Sequence, residues 1–262
     1  MNSSVPVRLA DASVAYSGKT VLDGITLDIA AGERVAVIGP SGAGKTTLFR
    51  LIAGLVKPAR GEVLTLGRDT RQLTGHKLDA LRRELGFLQQ QDNLIPQLRV
   101  AHNVLMGRLG HWCLPRALLS LLWPQQIERA EAALQRVELA DRLWSLPDEL
   151  SGGQQQRVAV ARLIVQQPKL VLADEPVSAL DLRLGREIIG LLTELATRDG
   201  VTLLVNLHTL DLLQGHFDRV VALRDGKLFW QGRPEALTQA LLRELYGAEY
   251  RALHLDEIAL PA

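Results

Sequence analysis

The stretch Gly39-Pro40-Ser41-Gly42-Ala43-Gly44-Lys45-Thr46 constrains this chain more than any other. It fits the pattern G-x-x-x-x-G-K-[ST]. It stands between the apolar run VAVIG at 35–39 and the stretch TTLFRLIAGL, which reads as a helix stopped near Gly54. Glycines lack a Cβ, so successive backbone N–H groups can curl around an anion. A helix starting at Lys45 aims its positive end at the same point. An unbroken apolar run of that length reads as a strand buried on both faces, the habit of a parallel sheet. A strand, a glycine loop and a helix in this order imply an α/β chain that holds phosphate groups at residues 39–47. Lys45 is expected to reach the β- and γ-phosphates of a nucleotide. The Thr46 hydroxyl is expected to hold magnesium, and Thr47 to complete the loop.

The remaining chain alternates in the way such a sheet requires. Strands are expected at VRLADASVAY (7–16), within ITLDIAAGERVAVIG with a turn at Gly32, and at GEVLTLG (61–67). From about 76 to 165 the spacing of apolar residues is mostly helical. Strands resume at KLVLADE (169–175), VTLLVNLH (201–208) and RVVALRDGKLFWQG (219–232), with a helix from Leu182 to Thr197 between the first two. Strands alternating with helices give a mostly parallel sheet with right-handed crossovers. The helical block interrupts that alternation and reads as an insertion. The expected division is a core of residues 1–89 and 160–235, an inserted helical subdomain at 90–159, and a helical tail at 236–262.

Two further stretches carry chemistry. Leu170-Val171-Leu172-Ala173-Asp174-Glu175 is an apolar strand ending in two carboxylates. Ligands of open α/β sheets bind beyond the carboxyl ends of strands. Asp174 is therefore placed to hold magnesium, and Glu175 becomes the candidate general base for an attacking water. Leu150-Ser151-Gly152-Gly153-Gln154 opens a second helix. A capping box explains Ser151 and Gln154. It does not explain two glycines in a first turn, where each weakens the helix by up to about 1 kcal/mol. Bare N–H groups beside a serine hydroxyl make a second anion site. One glycine loop and one serine-glycine helix start suggest two half-sites, joined when two copies face each other.

Composition excludes other classes. Thirty basic and twenty-nine acidic residues nearly cancel, so the basic excess of a nucleic-acid binder is missing. The single cysteine, Cys113, permits no internal disulfide and fits a reducing compartment. The opening MNSSVPVRLADASV shows no charged-then-apolar leader, and no apolar run approaches the roughly 20 residues that span a bilayer. Work at a membrane is expected to need spanning helices from another chain.

With LSGGQ at 150–154, this sequence resembles the ATP-binding-cassette ATPases. The resemblance covers about residues 7–235, with the motifs in family order. It implies the mostly parallel, RecA-like sheet of P-loop NTPases, an antiparallel β part at the N-terminus, an inserted helical subdomain, and ATP and Mg2+ as ligands. Further roles are implied position by position. Tyr16 stacks on adenine. A glutamine in GFLQQQDNL touches magnesium and the attacking water. The register among Gln89, Gln90 and Gln91 is open, with Gln90 best fitting Gly86 and Asn93-Leu94. Ser178, Ala179, Leu180 and Asp181 match the loop that crosses the dimer interface. His208 contacts the γ-phosphate. Ser151, Gly152, Gly153 and Gln154 complete the site of a second copy.

Two function classes share these motifs: the ATPase subunit of an importer, and a soluble mechanical ATPase acting on nucleic acid or in translation. Relatives of the second kind carry a long coiled coil between the two motif halves, or two cassettes. This chain has one cassette with an insert of ordinary size, which favours the importer. NVLMGRLGHW (103–112), RALLSLLWPQQIERA (116–130), NLHTLDLL (206–213) and FDRVVALRDGKLFWQG (217–232) are similar to the ATPases of phosphonate uptake systems. That similarity implies permease subunits, an external binding protein, and a peripheral place on the cytoplasmic face of the inner membrane. Phosphite, phosphate-ester, zinc and amino-acid systems stay open as alternatives, because this chain never touches the cargo.

Overall fold

Antiparallel pairing of neighbouring segments builds the first layer. β1 (Val7–Tyr16) and β2 (Lys19–Ile29) form a hairpin whose two-residue turn, Ser17-Gly18, has positive φ at both positions. That turn geometry matches the right-handed twist of paired strands. β4 (Arg60–Thr65) pairs with the other edge of β1, and β5 (Arg68–Asp69) closes the sheet in the order β2-β1-β4-β5. These relations come from a computed structural model that describes residues 5–89, 94–112, 120 and 124–252.

The second sheet positions the site. β3 (Arg34–Ile38), β6 (Leu85–Leu88), β7 (Leu170–Asp174), β8 (Thr202–Asn206) and β9 (Arg219–Arg224) run parallel. β10 (Lys227–Gly232) returns antiparallel to β9, giving the order β10-β9-β3-β8-β7-β6. β7 and β8 are buried at every position, as the apolar runs LVLA and LLV at their centres require. Val37 is level with Asn206, and Asn206 with Asp174, so β3, β8 and β7 end side by side. Gly39, Glu175 and His208 therefore leave the sheet along one edge.

α1 (Lys45–Ile52) buries Leu48, Phe49, Leu51 and Ile52 against one face of this sheet, within a core shared with the antiparallel layer. The other face carries the larger core. Against it lie α3 (Val100–Leu105), α4 (Ile127–Arg136), α5 (Gly152–Gln166) and α6 (Leu182–Asp199), after α2 (Gly75–Arg83) at the edge. Asn103 in α3 is fully buried. Its side chain accepts from the Ile95 N–H at 2.7 Å and donates to the Leu98 carbonyl at 2.8 Å, fixing the chain that enters the helical block.

Two features differ from the expected plan. β6 lies inside the stretch read as mostly helical. A four-residue strand is too short to show a period of its own, and the tight fit of Gly86 is a tertiary fact: a Cβ there would lie 2.6 Å from Leu163 Cδ2. α5 also runs unbroken through residues 159 and 160, where core and insert were expected to meet. Its C-terminal end is tied to the sheet, since Gln166 Nε2 donates to the Leu85 carbonyl at 2.9 Å. Beyond β10, α7 (Gln239–Tyr246) and α8 (Glu249–Ala252) fold back on the molecule. Leu242, Leu245, Tyr246 and Tyr250 join the larger core.

Candidate nucleotide site

The glycine loop turns as its sequence requires. Gly39, Gly42 and Gly44 all have positive φ. At Gly39 there is a second reason: a Cβ would lie 2.1 Å from the Leu223 carbonyl oxygen, so the loop passes β9 too closely for any side chain. Val21, Ser41, Gly42, Ala43, Gly44, Lys45, Thr46 and Thr47 line one cleft together with Glu175, Ser178 and His208.

Lys45 is the electrostatic centre of this cleft. Its side chain folds back so that Nζ donates to the carbonyls of Gly39 at 2.7 Å and Pro40 at 3.1 Å. Only 5% of the residue is exposed, and no carboxylate among the described residues comes within salt-bridge distance. Burial pushes its pKa down, while Glu175, Asp174 and Glu249 act from a distance in the opposite direction. A buried ammonium without an ion pair is costly unless an anion completes it. Lys45 is thus a cation waiting for a negative ligand of the loop.

Beside it, Thr46 Oγ1 donates to Asp174 Oδ1 at 3.2 Å, and the buried Asn206 Nδ2 donates to the same oxygen at 2.7 Å. Asn206 was not singled out in the sequence. Its signal was available, as the polar residue that ends the apolar run LLV in the strand TLLVN. Thr46 and Asp174 offer hard oxygens, the kind magnesium prefers. Among the described residues no cluster of three or more His, Cys, Asp or Glu could form a complete metal cage. Magnesium binds through one or two carboxylates and keeps its other positions for phosphates and water, and the pair Asp174 and Thr46 fits that pattern.

Glu175 follows β7 in a left-handed conformation, φ 54°, which an ordinary side chain adopts at a cost of about 1–3 kcal/mol. The turn is held by the Glu175 N–H donating to the Asn206 carbonyl at 3.2 Å and by Ser178 Oγ donating to the Glu175 carbonyl at 3.2 Å. Its side chain reaches His208, with Nε2 2.7 Å from Oε1. A carboxylate can only accept, so the imidazole proton sits on Nε2 in this pair.

Tyr16 ends β1 as an exposed aromatic, 44% accessible, and does not line the cleft itself. Ser151, Gly152, Gly153 and Gln154 do not line it either. They form the expected capping box: Ser151 Oγ accepts from the Gln154 N–H at 3.3 Å, and Gln154 Oε1 accepts from the Ser151 N–H at 3.0 Å. At Gly152 a Cβ would meet only Leu180 Cδ2 at 3.8 Å, an ordinary contact, so packing within this chain does not demand a glycine there. Ser178 and Ala179 are exposed, Leu180 is half-buried, and Asp181 caps α6 by accepting from the Leu184 N–H at 2.9 Å. Gln90 lies outside the described residues, as do 113–119 and 121–123 of the insert.

The sequence profile of the ABC transporter family matches residues 22–178. The chain is 45% identical to the phosphonates import ATP-binding protein PhnC 1 of Cupriavidus necator, over 92% of this chain and 87% of that protein. It is 43% identical to a protein of the same name from Pseudomonas syringae, over 93% and 92%. Among solved structures it resembles the dimeric post-hydrolysis state of the ATP-binding cassette MJ0796 bound to ADP and Pi. The TM-score is 0.74 and the identity 33%, covering 88% of this chain and all of that one.

Proposed function

The chain belongs to the ABC transporter family, and from that premise we propose that it is the energy-coupling ATPase subunit of an importer for phosphonates or related phosphorus compounds. The observation that carries the ATPase reading is the buried, unpaired Lys45 at the mouth of a glycine loop, with Thr46, Asp174, Glu175 and His208 converging on it. The cargo reading rests on the relatives that bear the phosphonate name.

ATP would lie with its phosphates in the loop 39–47 and its adenine on Tyr16. Lys45 gives its charge to the β- and γ-phosphates, exchanging its loop carbonyls for stronger acceptors. Thr46 and Asp174 would hold Mg2+, with Gln90 as the third protein ligand. Held there, magnesium would supply positive charge against the negative charge that develops on the leaving group. Glu175 takes a proton from the attacking water as its oxygen bonds to the γ-phosphorus, and the bond to the ADP oxygen breaks. His208 steadies the γ-phosphate, which requires it to share or exchange its hydrogen bond with Glu175.

The second half of each site comes from another copy of the chain. The N–H groups of Gly152, which is exposed, and of Gly153 behind it, with the Ser151 hydroxyl, would meet the γ-phosphate across the interface, with Ser178, Ala179, Leu180 and Asp181 at the crossing. Purified mixed dimers test this. A dimer of one Lys45→Ala subunit and one Ser151→Ala subunit puts both defects in one site and leaves the other intact, so it should bind one ATP tightly. A dimer of wild type with the double variant puts one defect in each site and should bind none tightly. The reverse result would mean that Ser151 serves its own subunit.

Permease subunits and an external substrate-binding protein complete the transporter, with this chain peripheral on the cytoplasmic face of the inner membrane. Among the described residues no helix is long and apolar enough to cross a membrane. A strain lacking the chain is expected to lose growth on an alkylphosphonate as sole phosphorus source and to keep growth on inorganic phosphate. Complementation should need intact Lys45 and Glu175. Dependence on the chain for phosphite alone would move the cargo to a sister system. Normal growth on both, in a strain without a second uptake route, would remove the cargo reading and leave the ATPase.

A further inference from the structure

The C-terminal tail reaches the glycine loop with a carboxylate. α7 is seated firmly: Leu242, Leu245 and Tyr246 are buried, and Arg224 Nη1 at the end of β9 donates to the Glu244 carbonyl at 2.6 Å. The tail then turns at Gly247, φ 52°. Tyr250 is buried beyond the turn, and the Arg243 guanidinium lies 5.5 Å from its ring centre. The intervening Glu249 is thus held from both sides. Its Oε2 accepts from the backbone N–H of Ser41 at 3.3 Å. Next to it the Tyr246 hydroxyl is buried beside the Gly39 amide without forming a well-aligned hydrogen bond, and burial pushes that phenol well above its ordinary pKa.

Ser41 belongs to the run of backbone N–H groups that such a loop turns toward phosphate. A carboxylate oxygen on that donor makes the same charge-assisted contact as a phosphate oxygen. Glu249 also acts on Lys45, together with Asp174 and Glu175, so it belongs to the field of the cleft although it comes from outside it. Two anions cannot share one N–H donor and one cation without repulsion. We propose that Glu249 is a built-in phosphate mimic, by which the folded tail competes with the terminal phosphates of the nucleotide for the glycine loop. A seated tail weakens nucleotide binding, and bound triphosphate expels Glu249 and loosens α8. The latch rests on the nucleotide-site reading given above and adds a regulator to it.

Calorimetric titration of the full chain with a non-hydrolysable ATP analogue, ADP and AMP tests the latch. Glu249→Gln removes the charge and keeps the shape, and Glu249→Ala removes both. Each should bind the triphosphate about fivefold tighter than wild type, the order expected for one partly exposed charge contact. ADP should gain less and AMP nothing. Glu244→Gln, one turn back on the exposed side of α7, should change no affinity. In parallel, amide exchange at 247–252 in the wild type should speed up on saturation with the analogue. Unchanged affinity in both Glu249 variants, an equal gain from Glu244→Gln, or tail exchange indifferent to nucleotide would each overturn the latch while leaving the nucleotide site standing. A wild-type chain that binds no nucleotide would overturn both.

Discussion

Lys45→Ala should weaken nucleotide binding severely. The ammonium is buried, its two hydrogen-bond partners are neutral loop carbonyls, and among the described residues no carboxylate lies within salt-bridge distance, Glu175, Asp174 and Glu249 acting only from farther off. Its charge is therefore available to phosphate. Removing one partner of a desolvated, hydrogen-bonded charge pair costs roughly 2–5 kcal/mol, so affinity should fall by about thirtyfold to several thousandfold. The fold should survive, because the variant deletes an unpaired buried charge and leaves no ionic partner stranded. Equilibrium titration with a fluorescent ATP analogue, beside a thermal melt without nucleotide, reads both quantities. A variant that melts like wild type and still binds ATP normally would remove Lys45 from the site.

Glu175→Gln should separate binding from turnover. The amide keeps the size of the side chain and can stay near His208, but it cannot take a proton from water. Loss of a general base lowers the rate by typically 10²–10⁴-fold. Lys45, Thr46 and the loop are untouched, so ATP should still bind, and the closed dimer should accumulate because its opening waits on hydrolysis. Steady-state phosphate release by the assembled transporter measures the first effect. Size exclusion with Mg-ATP measures the second. Wild-type turnover in the assembled variant would show that another group activates the water.

How much of this could be read from the sequence follows from the range of each signal. The strand, glycine loop and helix around Lys45 were legible because phosphate binding is a local backbone problem, and the residues that solve it are contiguous. The end of β7 was legible for a similar reason, since an unbroken apolar run fixed a buried strand and the carboxylates followed directly. Asn206 was harder. It acts on Asp174 through the register of two strands thirty-two positions apart in sequence, a separation that carries no periodic signature. β6 escaped because its four residues lie between helical stretches. The contact of Glu249 with Ser41 spans 208 positions and depends on how a buried tail turns at Gly247, which only the folded chain reveals.

The unbroken course of α5 has a mechanical consequence. Its fifteen residues extend about 22 Å at 1.5 Å per residue. Gln166 anchors one end to the rim of the sheet beside β6, while Ser151 lies exposed at the other. The helix is a lever whose fulcrum lies in the catalytic half and whose tip, in the proposed dimer, completes the neighbour's site. A tilt of about 10° about the anchored end carries the tip through about 4 Å, more than the length of a hydrogen bond. A tilt of that size is enough, in geometric terms, to bring Ser151 into contact across the proposed interface or to withdraw it.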